Sequence, residues 1–476
     1  MNILAIDQGT SATKALVVAP DHRVLAEASA PVTSHTVGNN GVQQDPEELW
    51  ASVLAAGRAA LAEAREPVGA IGLANQGETV LAWDRATGQP LSPAISWQDR
   101  RSISICEALA AHAEELHART GLPLDPYFAA PKMRWLREQV THAGVCTTTD
   151  TWLIHRLTGA YITDASTASR TLLLDLDSVT WSPEACARFA VDPESLPAII
   201  GCSELIGETS AFGGSIPVTG LAVDQQAALF AEGCLTAGDA KCTYGTGAFL
   251  LVTTGAQPRR SVSRLAACVA WRLRSETTYC LDGQVYTAGA AVAWLQHVGL
   301  LRRPADFARP ASQVTDSHGV IFVPSLAGLA APFWRPAARG VFAGLSLATD
   351  RAHLIRAVAQ GVAAQVAWLA RTTEKDLGRR LVRLRVDGGL TRSTVLMQLQ
   401  ADLLQVPVEV YPTPNATALG VAAFARLGSG TARTVAEAVG AWTPEVIYEP
   451  RLSADEAAAH LDTWRRAAEV AMDLQM

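Results

Sequence analysis

The sequence predicts a two-domain α/β protein built as two related halves facing a shared cleft. Three observations carry this prediction. Apolar runs of strand length alternate with helical stretches along the chain. A strand–turn–strand at residues 2–18 returns at 241–254, and the two align as GTSATKALVV and GTGAFLLVTT, which reads as a duplication. A length of 476 residues also exceeds what one hydrophobic core usually organises. The segment 233–238 divides the halves, giving domains 1–235 and 236–476.

In the first hairpin an apolar strand ends at Asp7, followed by the small, hydroxyl-rich turn Gly9-Thr10-Ser11-Ala12-Thr13 and then Lys14. Backbone N–H groups of such a turn point one way and suit an anion such as phosphate. Lys14 adds positive charge, and Asp7 suits Mg²⁺, which takes carboxylate and water oxygens. Read alone, the turn is equally a solvent-facing hairpin. A strand over 24–32 follows. Asp45 then caps a helix running to about residue 64, with Pro46 at its first position and Glu47 and Glu48 in its first turn. A strand over 68–73 ends in Ala74-Asn75-Gln76-Gly77-Glu78-Thr79, the carboxyl end of a strand, where α/β sheets place ligand contacts.

A hairpin at 80–88 precedes Ser96-Trp97-Gln98-Asp99-Arg100-Arg101, and helices are predicted over 133–139 and 150–157. The small-polar cluster 163–170 leads into a strand-like 171–174. A strand over 217–222 ends at Asp224-Gln225-Gln226, with a helix over 227–231. The second half has strands over 241–254, 267–274 and 277–281, then helices over 288–298 and 351–373. A strand over 381–386 meets the turn Asp387-Gly388-Gly389, and a helix covers 397–404. The strand 406–410 is expected near a sheet edge because Pro407 has no N–H to donate. A small-residue helix spans 418–427.

Composition narrows the function. Hydrophobic residues at 49% and charged residues at 18% describe an ordinary globular chain. The net charge of −7, without basic runs, gives no support to nucleic-acid binding. No apolar stretch reaches bilayer-spanning length, and a secretory leader is not expected from the first residues. The eight cysteines form no CxxC pair and no zinc spacing, so they read as buried thiols in the cytoplasm. His297 and His353 read as structural or surface residues.

Asp224 carries the chemistry. It follows an apolar strand, opens a helix and stands just before the second hairpin. A carboxylate there suits accepting the proton of a hydroxyl as its oxygen attacks a γ-phosphoryl group. Asp before a helix also reads as a plain N-cap. Gly388 and Gly389 after a strand let backbone approach a nucleotide closely.

At this point a resemblance is legible. The motifs AIDQGTSATK, ANQGET, AISWQDRR, TGLPLDPYF, TDASTASRTLL, VDQQAALF, TYGTGAF, VDGGLTRSTVLMQLQADLL and ATALG are similar to those of the FGGY carbohydrate kinases, their glycerol kinase branch in particular. The resemblance implies two duplicated ribonuclease-H-like domains, as in actin and the heat-shock chaperones, hinged over a cleft. ATP, Mg²⁺ and a small polyol or sugar would lie between them, and the family habit is a homodimer. Matched by motif, Asp7 is the metal-associated aspartate, and Thr10, Ser11, Lys14, Thr246 and Gly247 face the phosphates. Gly289, Gly388, Gly389 and Ser393 line the nucleotide site. Asp224 is the catalytic base, and Glu78, Trp97, Tyr127, Asp224, Gln225 and Phe249 hold the acceptor.

Two departures stand out. Glycerol kinases read Asn-Gln-Arg-Glu-Thr where this chain has Gly77 before Glu78. Losing that charge-assisted donor costs about 1.5–3 kcal/mol, ten- to a hundredfold in affinity. A longer polyol or ketose is therefore expected, unless a nearby arginine such as Arg100 compensates and the acceptor is glycerol after all. The stretch 210–216 is short and uncharged, where some of these kinases carry a longer basic loop for fructose bisphosphate. Rival readings are an ATP-driven switch of the actin or chaperone kind and a silent sugar sensor. The acceptor set of Glu78, Trp97, Tyr127 and Asp224 speaks against the switch, and the presence of both Asp7 and Asp224 against the sensor.

Overall fold

The computed structural model describes residues 1–473. Two mixed sheets organise it. The first runs in the order Gly207–Thr209, Ile216–Val223, Val68–Asn75, Asn2–Gln8, Ala12–Val18, Val24–Pro31. The second runs Ala266–Leu273, Glu276–Val285, Ala248–Gly255, Ala240–Tyr244, Leu384–Asp387, Val408–Val410, Ile447–Tyr448. Each is built around its hairpin. The leading hairpin strand has the returning strand antiparallel on one side and a later strand, Val68–Asn75 or Leu384–Asp387, parallel on the other. The repeated sequence thus occupies equivalent central places, and the tips of both hairpins carry the glycine- and hydroxyl-rich turns.

Outer helices cover the far faces. Asp45 caps Pro46–Ala64, its Oδ1 accepting the Glu47 N–H at 2.9 Å, and the helix packs on the first sheet. Asp350 and His353 form a capping box that starts Arg351–Leu377, which packs on the second. Two short-residue helices, Asp224–Ala231 and Ala416–Gly428, pack against each other between the sheets. Their approach is so close that a Cβ on Gly420 would stand 1.8 Å from the Ala227 carbonyl oxygen. This pairing fixes the helix that begins at Asp224.

One expectation holds and one changes. The strand near Pro407 is Val408–Val410, next to last in its sheet: it is parallel to Leu384–Asp387, and only the two-residue edge strand Ile447–Tyr448 lies beyond it. Pro407 lies just outside it and needs only to accept, which its carbonyl does from the Leu384 N–H at 2.9 Å. The stretch 171–174 is not a strand. The polar cluster before it folds as the helix Ala165–Ala168, capped by Asp164, and Leu172 takes a left-handed φ of 65° before the short strand Leu174–Asp175.

Candidate active site

A cavity of about 210 Å³ lies between the sheets. Thr10 and Ser11 enter it from the first hairpin, and Gly245, Thr246 and Gly247 from the second. Gln76, Gly77 and Glu78 arrive from the carboxyl end of Val68–Asn75, and Asp224 and Gln225 from the start of the central helix. Trp97, Tyr127 and Phe249 form an aromatic wall, with Trp97 edge-on to both others at 5.9 Å between centroids. The Trp97 Nε1–H donates to Thr10 Oγ1 at 2.9 Å, which ties this wall to the first turn.

Asp224 is the first residue of its helix rather than its N-cap, which is Val223. Its Oδ1 accepts the Gln225 N–H at 2.7 Å. Burial, with the negative charges of Asp7 and Glu78 nearby, pushes its carboxyl up to about 7. Glu78 is also raised by burial, against the pull of Arg170. Arg170 was not foreseen, although it sits in the TDASTASRTLL motif. Its Nε bonds Glu78 Oε1 at 2.5 Å, its Nη1 pairs with Asp282 Oδ2 at 2.7 Å, and its Nη2 reaches the Tyr127 hydroxyl at 3.4 Å. Arg170 and Asp282 both border the cavity. A fully buried arginine needs such partners, and a sequence does not name them.

Lys241, also unforeseen, is buried at the base of the second hairpin. Its Nζ donates to Gln225 Oε1 at 2.6 Å and Thr243 Oγ1 at 2.7 Å. Lys132 is buried below the acceptor wall and donates to the carbonyls of Pro126, Tyr127 and Phe128, holding the turn that presents Tyr127.

The remaining predicted residues do not line this cavity. Asp7 and Lys14 are cross-strand partners at the end of the first hairpin. Burial raises the Asp7 carboxyl to about 6, Lys14 opposes that rise and Asp387 adds to it. Asp387 keeps a buried Oδ1 with no hydrogen-bond partner. Two neighbouring carboxylates with a free oxygen suit Mg²⁺, which uses one or two carboxylates and completes its shell with water and phosphate. Among the described residues no group of three or more His, Cys, Asp or Glu side chains forms a cage by itself.

Gly388 takes φ 93°, and a Cβ there would stand 2.5 Å from the Tyr244 carbonyl oxygen; Gly389 follows in a short 3₁₀ turn. Gly289 opens the helix Gly289–His297 and donates its N–H to the Gly245 carbonyl at 3.0 Å, directly beneath the second turn. Ser393 caps Thr394–Leu404, its Oγ accepting the Leu396 N–H at 3.4 Å. Arg100 does not border the cavity: it pairs with Asp125 at 3.0 Å and lies over the Tyr286 ring.

The model of the FGGY family of carbohydrate kinases matches this chain with its N-terminal domain over residues 2–231 and its C-terminal domain over 240–428. The chain belongs to the FGGY family of carbohydrate kinases. It is therefore a phosphotransferase that uses ATP and acts on a hydroxyl group. A glycerol kinase from Alkalilimnicola ehrlichii is 44% identical over 485 residues, covering 98% of this chain and 97% of that one. Among solved structures, Plasmodium falciparum glycerol kinase with ADP superposes with a TM-score of 0.91 at 29% identity, covering 100% of this chain and 99% of that one. A ligand-bound xylulose kinase from Lactobacillus acidophilus shares the fold with a TM-score of 0.89 at 23% identity, covering 98% and 97%. The duplicated two-domain fold expected from the sequence is thus the fold of this family, and the switch reading gives way to the kinase.

Proposed function

We propose that this kinase transfers the γ-phosphoryl group of MgATP to a hydroxyl of a small polyol or sugar, in a pocket altered from that of the glycerol kinases. The observation that carries the reading is Asp224, held at a helix start inside the cavity with its carboxyl near 7. A base with that affinity for a proton is poised to accept one from an acceptor hydroxyl near neutral pH. Bound MgATP supplies the electrophilic phosphorus and the charge neutralisation of the reaction.

Asp7, with Asp387 beside it, would hold the Mg²⁺. Thr10, Ser11, Lys14, Thr246 and Gly247 would hold phosphate oxygens. Gly289, Gly388, Gly389 and Ser393 would border the nucleotide. Glu78 and Gln225 would orient acceptor hydroxyls against Trp97, Tyr127 and Phe249, which keep water from competing as acceptor. Gly77 sets the acceptor's size. With no side chain there and Arg100 engaged by Asp125, no guanidinium enters the cavity from the position where glycerol kinases have one.

The domains 1–235 and 236–476 would close over this cleft. Eight free, buried cysteines support a cytoplasmic location. A homodimer is carried by the resemblance alone, and sedimentation tests it.

The deciding experiment is coupled ADP release with MgATP across glycerol, tetritols, pentitols and pentuloses, with Asp224→Asn as control. Preference for a longer acceptor supports the altered pocket. Strong preference for glycerol supports a glycerol kinase proper, the reading that 44% identity to a glycerol kinase favours. Silence with every acceptor overturns the proposal.

A further inference from the structure

Gln225 lines the acceptor cavity from the start of the helix Asp224–Ala231, within the N-terminal family domain. Lys241 reaches it from the strand Ala240–Tyr244 of the C-terminal domain and is fully buried. Its ammonium donates to Gln225 Oε1 at 2.6 Å and to Thr243 Oγ1 at 2.7 Å, two neutral oxygens. An ammonium bonded only to neutral groups is costly to bury, so its place here points to what it holds. It has donors and no acceptor. Only the oxygen of the Gln225 amide can therefore face Lys241, which leaves the amide a single orientation. The NH₂ group is turned the opposite way. Among the described residues that Nε2 has no hydrogen-bond partner, and, unlike the Nε2 of the adjacent Gln226, it is not sealed off by its surroundings. It is an open donor on a side chain that borders the cavity.

We propose that Lys241 is a positioning residue: it locks the Gln225 amide with its NH₂ towards the acceptor, so that the site presents a donor next to the Asp224 carboxyl. This rests on the kinase reading above. The two neighbours then have complementary tasks. Asp224 takes the proton of the attacking hydroxyl, and the Gln225 NH₂ donates to a lone pair of an acceptor oxygen. A reversed amide would set a second acceptor oxygen beside the carboxylate and leave that lone pair unmet. Lys241 makes the reversal unfavourable, because it would turn two N–H groups towards an ammonium. The orientation of an acceptor-binding side chain in one half is thus set from the other half.

A double-mutant cycle tests the link, read at about pH 9 so that Asp224 is ionised and the charge of Lys241 on it no longer matters. The acceptor is the best used of glycerol, a butanetetrol and a pentulose. Lys241→Met keeps the length of the side chain and removes its donors. It should raise KM for that acceptor about tenfold in the parent, but less than about twofold in a Gln225→Ala background. Equal factors in the two backgrounds overturn the inference, because Lys241 would then act other than through Gln225. An unchanged KM in Lys241→Met also overturns it. Should Lys241→Met fail to fold, Gln225→Glu decides alone: one carboxylate oxygen stays on Lys241 and the other replaces the NH₂. Its urea midpoint should hold or rise, while kcat/KM falls about ten- to a hundredfold. A lower midpoint, or an unaltered kcat/KM, overturns the inference and leaves the kinase reading intact. Silence of the parent with every acceptor refutes the kinase reading itself.

Discussion

The Asp224→Asn substitution separates catalysis from stability in one experiment. The folded protein keeps the Asp224 carboxyl protonated up to about pH 7, whereas an unfolded chain releases that proton near 3.8. A folded-state value raised in this way makes stability greatest below the unfolded value. Stability then falls as the pH climbs towards 7, and levels off above it. Each unit is worth about 1.36 kcal/mol, so the full interval amounts to about 4 kcal/mol. Partial contact of Asp224 with solvent brings the expectation to about 2–4 kcal/mol.

Asparagine keeps the shape of the neutral acid and has no proton to lose. The variant should therefore be more stable than the parent by that amount near pH 8 and indistinguishable near pH 4, while losing about 10²–10⁴-fold in kcat. Urea melts of both proteins across that pH range, without nucleotide, give the first quantity and coupled ADP release the second. In the parent, kcat/KM should rise with pH and level off above about 7, as the base loses its proton. A stability difference that does not vary with pH, or an active variant, would refute the assignment of Asp224 as a buried base.

Four further outcomes are expected. Arg170→Gln strands Glu78 and Asp282 as buried acids and should cost about 3–5 kcal/mol in urea melts; an unaltered midpoint would show the triad to be slack. Gly77→Arg combined with Val223→Ala should lower KM for glycerol about tenfold or more. The second change is needed because a Cβ at Gly77 meets Val223 Cγ2 at 2.9 Å, and an unchanged KM would separate Gly77 from acceptor choice. Gly388→Ala forces a Cβ against the Tyr244 carbonyl oxygen at a left-handed φ, and should cost about 1–3 kcal/mol and raise KM for ATP. Fructose bisphosphate at cellular concentration should leave the rate unchanged, since the stretch 210–216 carries no charge to bind it; inhibition in an activity titration would count against that reading.

The sequence by itself determined the family, the duplication and the order of the elements. Those features are written in local periodicity and in turn chemistry that repeats, as the hairpins at Gly9 and Gly245 show. The cap at Asp45 and the helix it starts were legible for the same reason: every group involved is within three residues. The strand near Pro407 lies one place in from the sheet edge, as its proline suggests, but the edge strand beyond it, Ile447–Tyr448, is announced by no local signal.

What only the tertiary structure decided is how charges meet across the halves. Arg170 reads as one more residue in a polar cluster until it is seen between Glu78 and Asp282, which lie 92 positions away in sequence on one side and in the opposite half on the other. Lys241 and Gln225, Asp7 and Asp387 are pairs of the same kind. The energy of a buried charge is set by what surrounds it in space, and a linear pattern carries no record of those distances. The same holds for the acceptor. The fold is common to a glycerol kinase and a xylulose kinase, so the choice rests on side chains that converge on one cavity.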